Sequence, residues 1–177
     1  DDYNYFVMHL MMDLTSRRAD TVGVKARRDD SDSDKIIRPL ILDAQMQTGC
    51  PVAQRLMCPR VRQALASPWE VDNDMRPTLL MTAIRGDCLE WGVTAQEAFT
   101  SITDHFHGTT DPSLRHHLLY SLPAAKDASL LMAGIDFARA NLPAMCATPS
   151  TNPVQVMCAS DWTAILNAVV KNPRGGA

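Results

Sequence analysis

The apolar positions of this chain recur at helical spacing more often than in alternation. The clearest long stretch runs from Lys126 to Leu142, where Leu131, Ile135, Ala138 and Leu142 fall at steps of four, three and four. Leu130, Gly134 and Phe137 widen that stripe to a face broad enough for a core, while Lys126, Asp127, Ser129, Asp136 and Arg139 fall mainly on the other side. Pro123 precedes the helix and Pro143 is expected to end it, because proline lacks the amide hydrogen and clashes with the turn before it. Gly134 costs about 1 kcal/mol against alanine in mid-helix, which close approach by a neighbouring helix would offset. The rest of the chain is expected to be organised around this element.

A second strong pattern lies just upstream. Thr94 and Glu97 form a Thr-x-x-Glu capping box, and Phe99, Ile102 and Phe106 make the buried stripe that follows. Gly108 stands where a left-handed C-terminal residue belongs. Asp111 then caps another helix with Pro112 at its first position, and Leu114, Leu118 and Leu122 line its face. The short connection predicts an antiparallel helical hairpin.

The N-terminal half is less regular. Asp2 to Leu14 is apolar on nearly every side of a helix, so it must be covered on most faces. Val22 and Val24 alternate as in a short strand, as do Val154, Val156 and Cys158 near the other end. Asp29, Asp30, Asp32 and Asp34 make 29–35 an acidic, solvated loop. Ile36 to Leu42, around Pro39, reads as an edge strand or as the entry to a helix that Gly49 stops. Pro51 opens a helical run that Pro59 is expected to break or kink before it resumes to Ser67. In 78–84 the residues are almost all apolar, and periodicity does not separate a buried strand from a buried helix; Pro77 favours helix. Trp162, Ile165, Leu166 and Val169 give a last helix its face.

Composition narrows the class. The chain has 177 residues, is 46% hydrophobic and 21% charged, and carries a net charge of -3, which excludes a mainly disordered chain and any global pull towards nucleic acid or anionic lipid. No apolar run approaches the roughly 20 residues of a membrane span. The five cysteines are odd in number and none are spaced as CxxC, so they read as reduced thiols in an intracellular, reducing compartment. Ten methionines suit a gap-filling core or an adaptable partner surface. The chain begins at Asp1 rather than Met, which leads us to expect a single domain that is a fragment or processed part of a longer polypeptide.

Candidate chemistry is sparse. His105, His107, His116 and His117 fall at the ends of the two hairpin helices, where three imidazoles could gather around zinc. Neighbours such as His116 and His117 diverge by about 100° on a helix, however, and no HExxH pattern is present. Asp30-Ser31-Asp32-Ser33-Asp34 resembles half a calcium loop, but Lys35 takes the glycine position and Ile41 that of the bidentate glutamate. Arg85-Gly86-Asp87 spells an adhesion tripeptide, although Gly86 more simply ends the preceding element. No phosphate loop, GxGxxG or Gly-x-Ser-x-Gly elbow is present.

These features lead to a mainly α domain of about seven helices with two or three short strands. The expected role is non-enzymatic: a structural or assembly subunit of a larger complex, such as a shell, capsid or machine component. Its partners would be other protein chains, touched through Tyr5, Phe6, Met8, Met11 and Met12. No cofactor or metal is expected. One alternative is an enzyme built on the four histidines, with or without metal. Another is an RNA-binding module using the basic stretch that holds Arg17, Arg18, Arg27 and Arg28.

Overall fold

Residues 29–146 are described by a computed structural model, together with Gly23, Arg27 and Ile165. Among the described residues there are six α-helices: α1 (Asp32–Gln47), α2 (Pro51–Ala66), α3 (Arg76–Ile84), α4 (Ala95–Gly108), α5 (Pro112–Ser121) and α6 (Ala128–Cys146). Single 3-10 turns at Pro68–Glu70, Leu89–Trp91 and Leu122–Ala124 connect them, and no strand occurs among the described residues. The mainly α expectation therefore holds. The strands expected around 22–24 and 154–158, and the helices expected at 2–14 and near Trp162, fall outside the described residues, apart from Gly23 and the helical, buried Ile165.

The organising element is α3 rather than α6. It is only nine residues long, and Arg76, Thr78, Leu79, Leu80, Thr82, Ala83 and Ile84 are all buried. It packs against α1, α2, α4, α5 and the Leu122–Ala124 turn. A helix covered on every side has no polar face, which is why its spacing carries no period. Pro77 in its first turn matches the expected start, where the missing N–H is not needed.

The α4–α5 hairpin forms as its spacing predicts. Thr94 Oγ1 accepts from the Glu97 N–H at 3.1 Å, while the Glu97 carboxylate accepts from the Thr94 N–H at 3.1 Å. Asp111 accepts from the Ser113 N–H at 2.9 Å. Ala98, Ile102 and Phe106 on α4 bury against Leu114, Leu118 and Leu119 on α5 in one core. Gly108 differs from expectation: it stays helical, and Thr109 follows it in extended backbone. Gly134 on α6 meets a close neighbour, since a Cβ there would lie 3.1 Å from the Cβ of Leu122. That neighbour is a 3-10 turn rather than another helix.

Three boundaries read from the sequence are corrected. The 29–35 stretch is not a loop throughout, because α1 begins at Asp32. Ser31 and Asp34 close a capping box, and carboxylates in a first turn are favoured by the helix dipole. Pro59 lies inside an unbroken helix, and α6 continues past Pro143 to Cys146; around Pro39 the helix alternative holds, and it ends before Gly49 as expected. In α1 and α2 the residues beside the proline are buried, Arg38, Ile41 and Leu42 in one and Met57, Cys58 and Val61 in the other. Their packing outweighs the lost backbone hydrogen bond and the ring clash.

The cysteines are corrected as well. Cys58 on α2 and Cys88, just beyond α3, form a disulfide across 30 residues of chain, with a Cα–Cα distance of 5.5 Å. Both residues are buried. Cys50 is a free, half-buried thiol. An odd cysteine count gives no pairing, and two thiols this far apart in sequence meet only once α2 and α3 have packed.

Two outcomes test this construction. Thr94→Ala should lower stability by about 1 kcal/mol through loss of the α4 cap, read as a shift in urea midpoint with unchanged slope. Replacing Cys58 and Cys88 together by alanine should cost about 3–4 kcal/mol, as expected for opening a loop of this length. Alkylation of Cys58 and Cys88 in the urea-unfolded, unreduced chain would contradict the pairing.

Candidate functional site

The four histidines do not converge; each serves a different neighbour. His105 Nε2 meets the Leu65 carbonyl at 2.7 Å, and the same carbonyl accepts from Ser101 Oγ at 2.8 Å. Two α4 side chains thus satisfy a carbonyl in the last turn of α2, which has no partner inside its own helix. His107 stands edge-on to Phe137 of α6, with ring centroids 5.4 Å apart. His116 stacks on Tyr120 at 4.1 Å. His117 turns its Nδ1 towards Arg76 Nη1 at 3.5 Å. Among the described residues no three His, Cys, Asp or Glu side chains come together as a metal site requires.

Arg85-Gly86-Asp87 is not displayed as an adhesion loop. The side chains of Arg85 and Asp87 are 9% and 3% exposed and bound to each other, Arg85 Nε donating to Asp87 Oδ2 at 2.7 Å. Arg85 Nη2 also donates to Asp43 on α1 at 2.7 Å, and Lys126 Nζ donates to the other Asp87 oxygen at 2.5 Å. Burial works against the Arg85 charge, but Asp43 and Asp87 outweigh it and raise its pKa above the ordinary value. Gly86 takes φ +72° directly after the helix, as a terminating glycine does. Acid and base alternate here along a chain of ion pairs joining α1, the end of α3 and the segment before α6.

Beside this chain lies an open groove of about 330 Å³ between the α1–α2 turn and the turn after α3. Leu89 and Trp91 line it from one turn, Gly49 and Gln54 from the other, and Asp87 with Lys126 completes it. The Trp91 carbonyl accepts a hydrogen bond from Arg62 of α2, which fixes this turn near the Cys58–Cys88 bond. Its volume is at the small end of ligand sites, and Asp87, one of its two acids with Glu90, is already held by two cations.

Of the other residues singled out in the sequence, Tyr5, Phe6, Met8, Met11, Met12, Arg17, Arg18 and Arg28 lie outside the described residues. Arg27 is exposed, and its backbone N–H donates to Asp30 at 2.5 Å. Asp30 in turn holds the buried Arg38, whose Nη2 lies 2.5 Å from it and whose Nε donates to the Gly23 carbonyl at 3.1 Å. The Arg27 amide and Arg38 keep the Asp30 carboxyl below its usual pKa, with desolvation opposing them. Arg38 is wholly buried. A lone arginine between Ile37 and Pro39 gives no sequence signal of that anchoring role.

What stands out on the surface is apolar. Ile36 and Leu40 on α1 are 66% and 65% exposed, and Val52 and Leu56 on α2 are each 45% exposed. Each pair is spaced i, i+4, so each forms one outward strip on its helix. No described helix is long and apolar enough to cross a membrane. Compared with models of known families, with curated proteins and with solved structures, the chain finds no match.

Proposed function

We propose that this chain is a non-enzymatic structural or assembly subunit, and that the α1–α2 hairpin is the surface through which it meets another copy of itself. One observation carries the reading. Ile36, Leu40, Val52 and Leu56 face outwards as two apolar strips on the two helices of one hairpin. Burying a large apolar side chain contributes about 1.5–3 kcal/mol, so four of them offset much of the cost of association. Two copies of one hairpin can pair about a two-fold axis, where the same patch serves both sides. The apolar Asp2–Leu14 segment adds a second sequence stretch that needs cover.

The enzyme reading draws less support, since the four histidines it rests on contact four separate neighbours. Of the four arginines on which the RNA reading rests, Arg27 falls within the described residues, and it is exposed. Disulfides persist in oxidising settings. We propose a working environment outside a reducing compartment, a reading that the buried Cys58–Cys88 bond supports.

Sedimentation velocity tests the assembly reading. The parent chain should form a dimer or larger species at micromolar concentration. Leu40→Glu with Leu56→Glu should return it to monomer with its helical circular dichroism intact. A parent chain that stays monomeric at every concentration up to about 100 μM, a range in which any affinity tighter than roughly 5.5 kcal/mol would register, overturns it.

A further inference from the structure

Arg76 binds the segment between α2 and α3 at several points, beside the buried Pro68 and Val71 of that segment. Arg76 is 6% exposed. Its Nε donates to the Pro68 carbonyl at 2.7 Å, Nη2 to the Val71 carbonyl at 3.0 Å and Nη1 to Asn73 Oδ1 at 2.6 Å. One guanidinium thus fixes three points of a six-residue turn. That turn displays Trp69, which is 60% exposed and stands edge-on to His105 at 5.5 Å. The remaining contact of Nη1 is His117 Nδ1 on α5, at 3.5 Å.

A guanidinium only donates. The imidazole beside it must therefore offer a lone pair at Nδ1 and carry its single proton on Nε2. A second proton would enter at Nδ1 itself, turning an acceptor into a donor and setting two cations against each other at the same contact. The other charged groups facing His117 are few. Asp111, at the N-cap of α5, favours the protonated form. His116, next along the helix, disfavours it when it is itself charged. Asp74 lies instead 3.8 Å from Arg38.

We propose that the Arg76–His117 contact is a proton-sensitive latch: neutral His117 lets Arg76 hold the Pro68–Asn73 turn against α5, and its protonation releases the turn that carries Trp69. Burial, Arg76 and His116 together hold the His117 pKa below its ordinary value of 6.5, against Asp111. The sign follows from that direction. Above about 6.5 the contact contributes fully. As pH falls below that value, the open form takes up the proton first, and the closed form loses ground until His117 is charged in both.

The test follows the Trp69 indole and the His117 imidazole by NMR from pH 8 to pH 5 in the intact chain. The expected result is a shared midpoint, lower than that of an ordinary histidine. His117→Asn places an amide oxygen near the position of Nδ1, and should leave the Trp69 signal as it is at pH 8 while abolishing its acid shift. His105→Gln, which keeps a donor for Leu65, should leave that shift in place. Three outcomes overturn the latch: an indole that does not move, a shift that survives in His117→Asn, or a shift lost in His105→Gln. If His117→Asn does not fold, the parent titration decides, since different midpoints for His117 and Trp69 also overturn it.

Discussion

The structure depends on covering α3 from every side. Its apolar residues Leu79, Leu80, Ala83 and Ile84 are fully buried, so no helix around it can leave without exposing them. Both ends are anchored by a buried arginine. At the N-terminal end Arg76 gathers the carbonyls of Pro68 and Val71. At the C-terminal end Arg85 joins Asp43 and Asp87, and Lys126 extends the chain of charges. Removing either arginine's partners would leave a charge in a poorly solvated place, which is far more costly than losing a surface ion pair. The Cys58–Cys88 bond then ties the segment just beyond α3 to α2.

The chain was legible in sequence where a local interaction decides the structure, and illegible where packing does. The capping box at Thr94 and Glu97, the Asp111 cap and the close approach at Gly134 are all short-range chemistry, and all are present. By contrast, α3 offers no polar face from which a period could be read, so the element that organises the fold looked the most ambiguous. The Pro59 signal misled in α2 because burial on either side outweighs one missing hydrogen bond. The acids at 32 and 34 looked like a solvated loop because their value at a helix start depends on Ser31 beside them. The disulfide, and the anchoring roles of Arg38, Arg76 and Arg85, rest on contacts between distant segments that spacing does not encode.

The same division governs function. Side chains that looked reactive in the sequence are engaged in holding the fold: His105 satisfies a helix-end carbonyl, His107 and His116 pack on aromatic rings, and Arg85 and Asp87 neutralise each other. Among the side chains the fold leaves turned outwards on α1 and α2 are four large apolar ones, Ile36, Leu40, Val52 and Leu56. The described residues thus form a helical body cross-linked inside by Cys58–Cys88, with two apolar strips exposed on one hairpin. The Trp69 turn is the part of that body whose attachment depends on a titratable group.

The claim that α3 is the centre of the fold is tested most directly by native-state hydrogen exchange. If α1, α2, α4 and α5 all rest on α3, the amides of Leu79 to Ile84 exchange only by global unfolding, with protection equal to the stability measured by denaturant. Should those amides exchange through a local opening while α4 or α6 stays protected, α3 is not what the rest of the structure rests on.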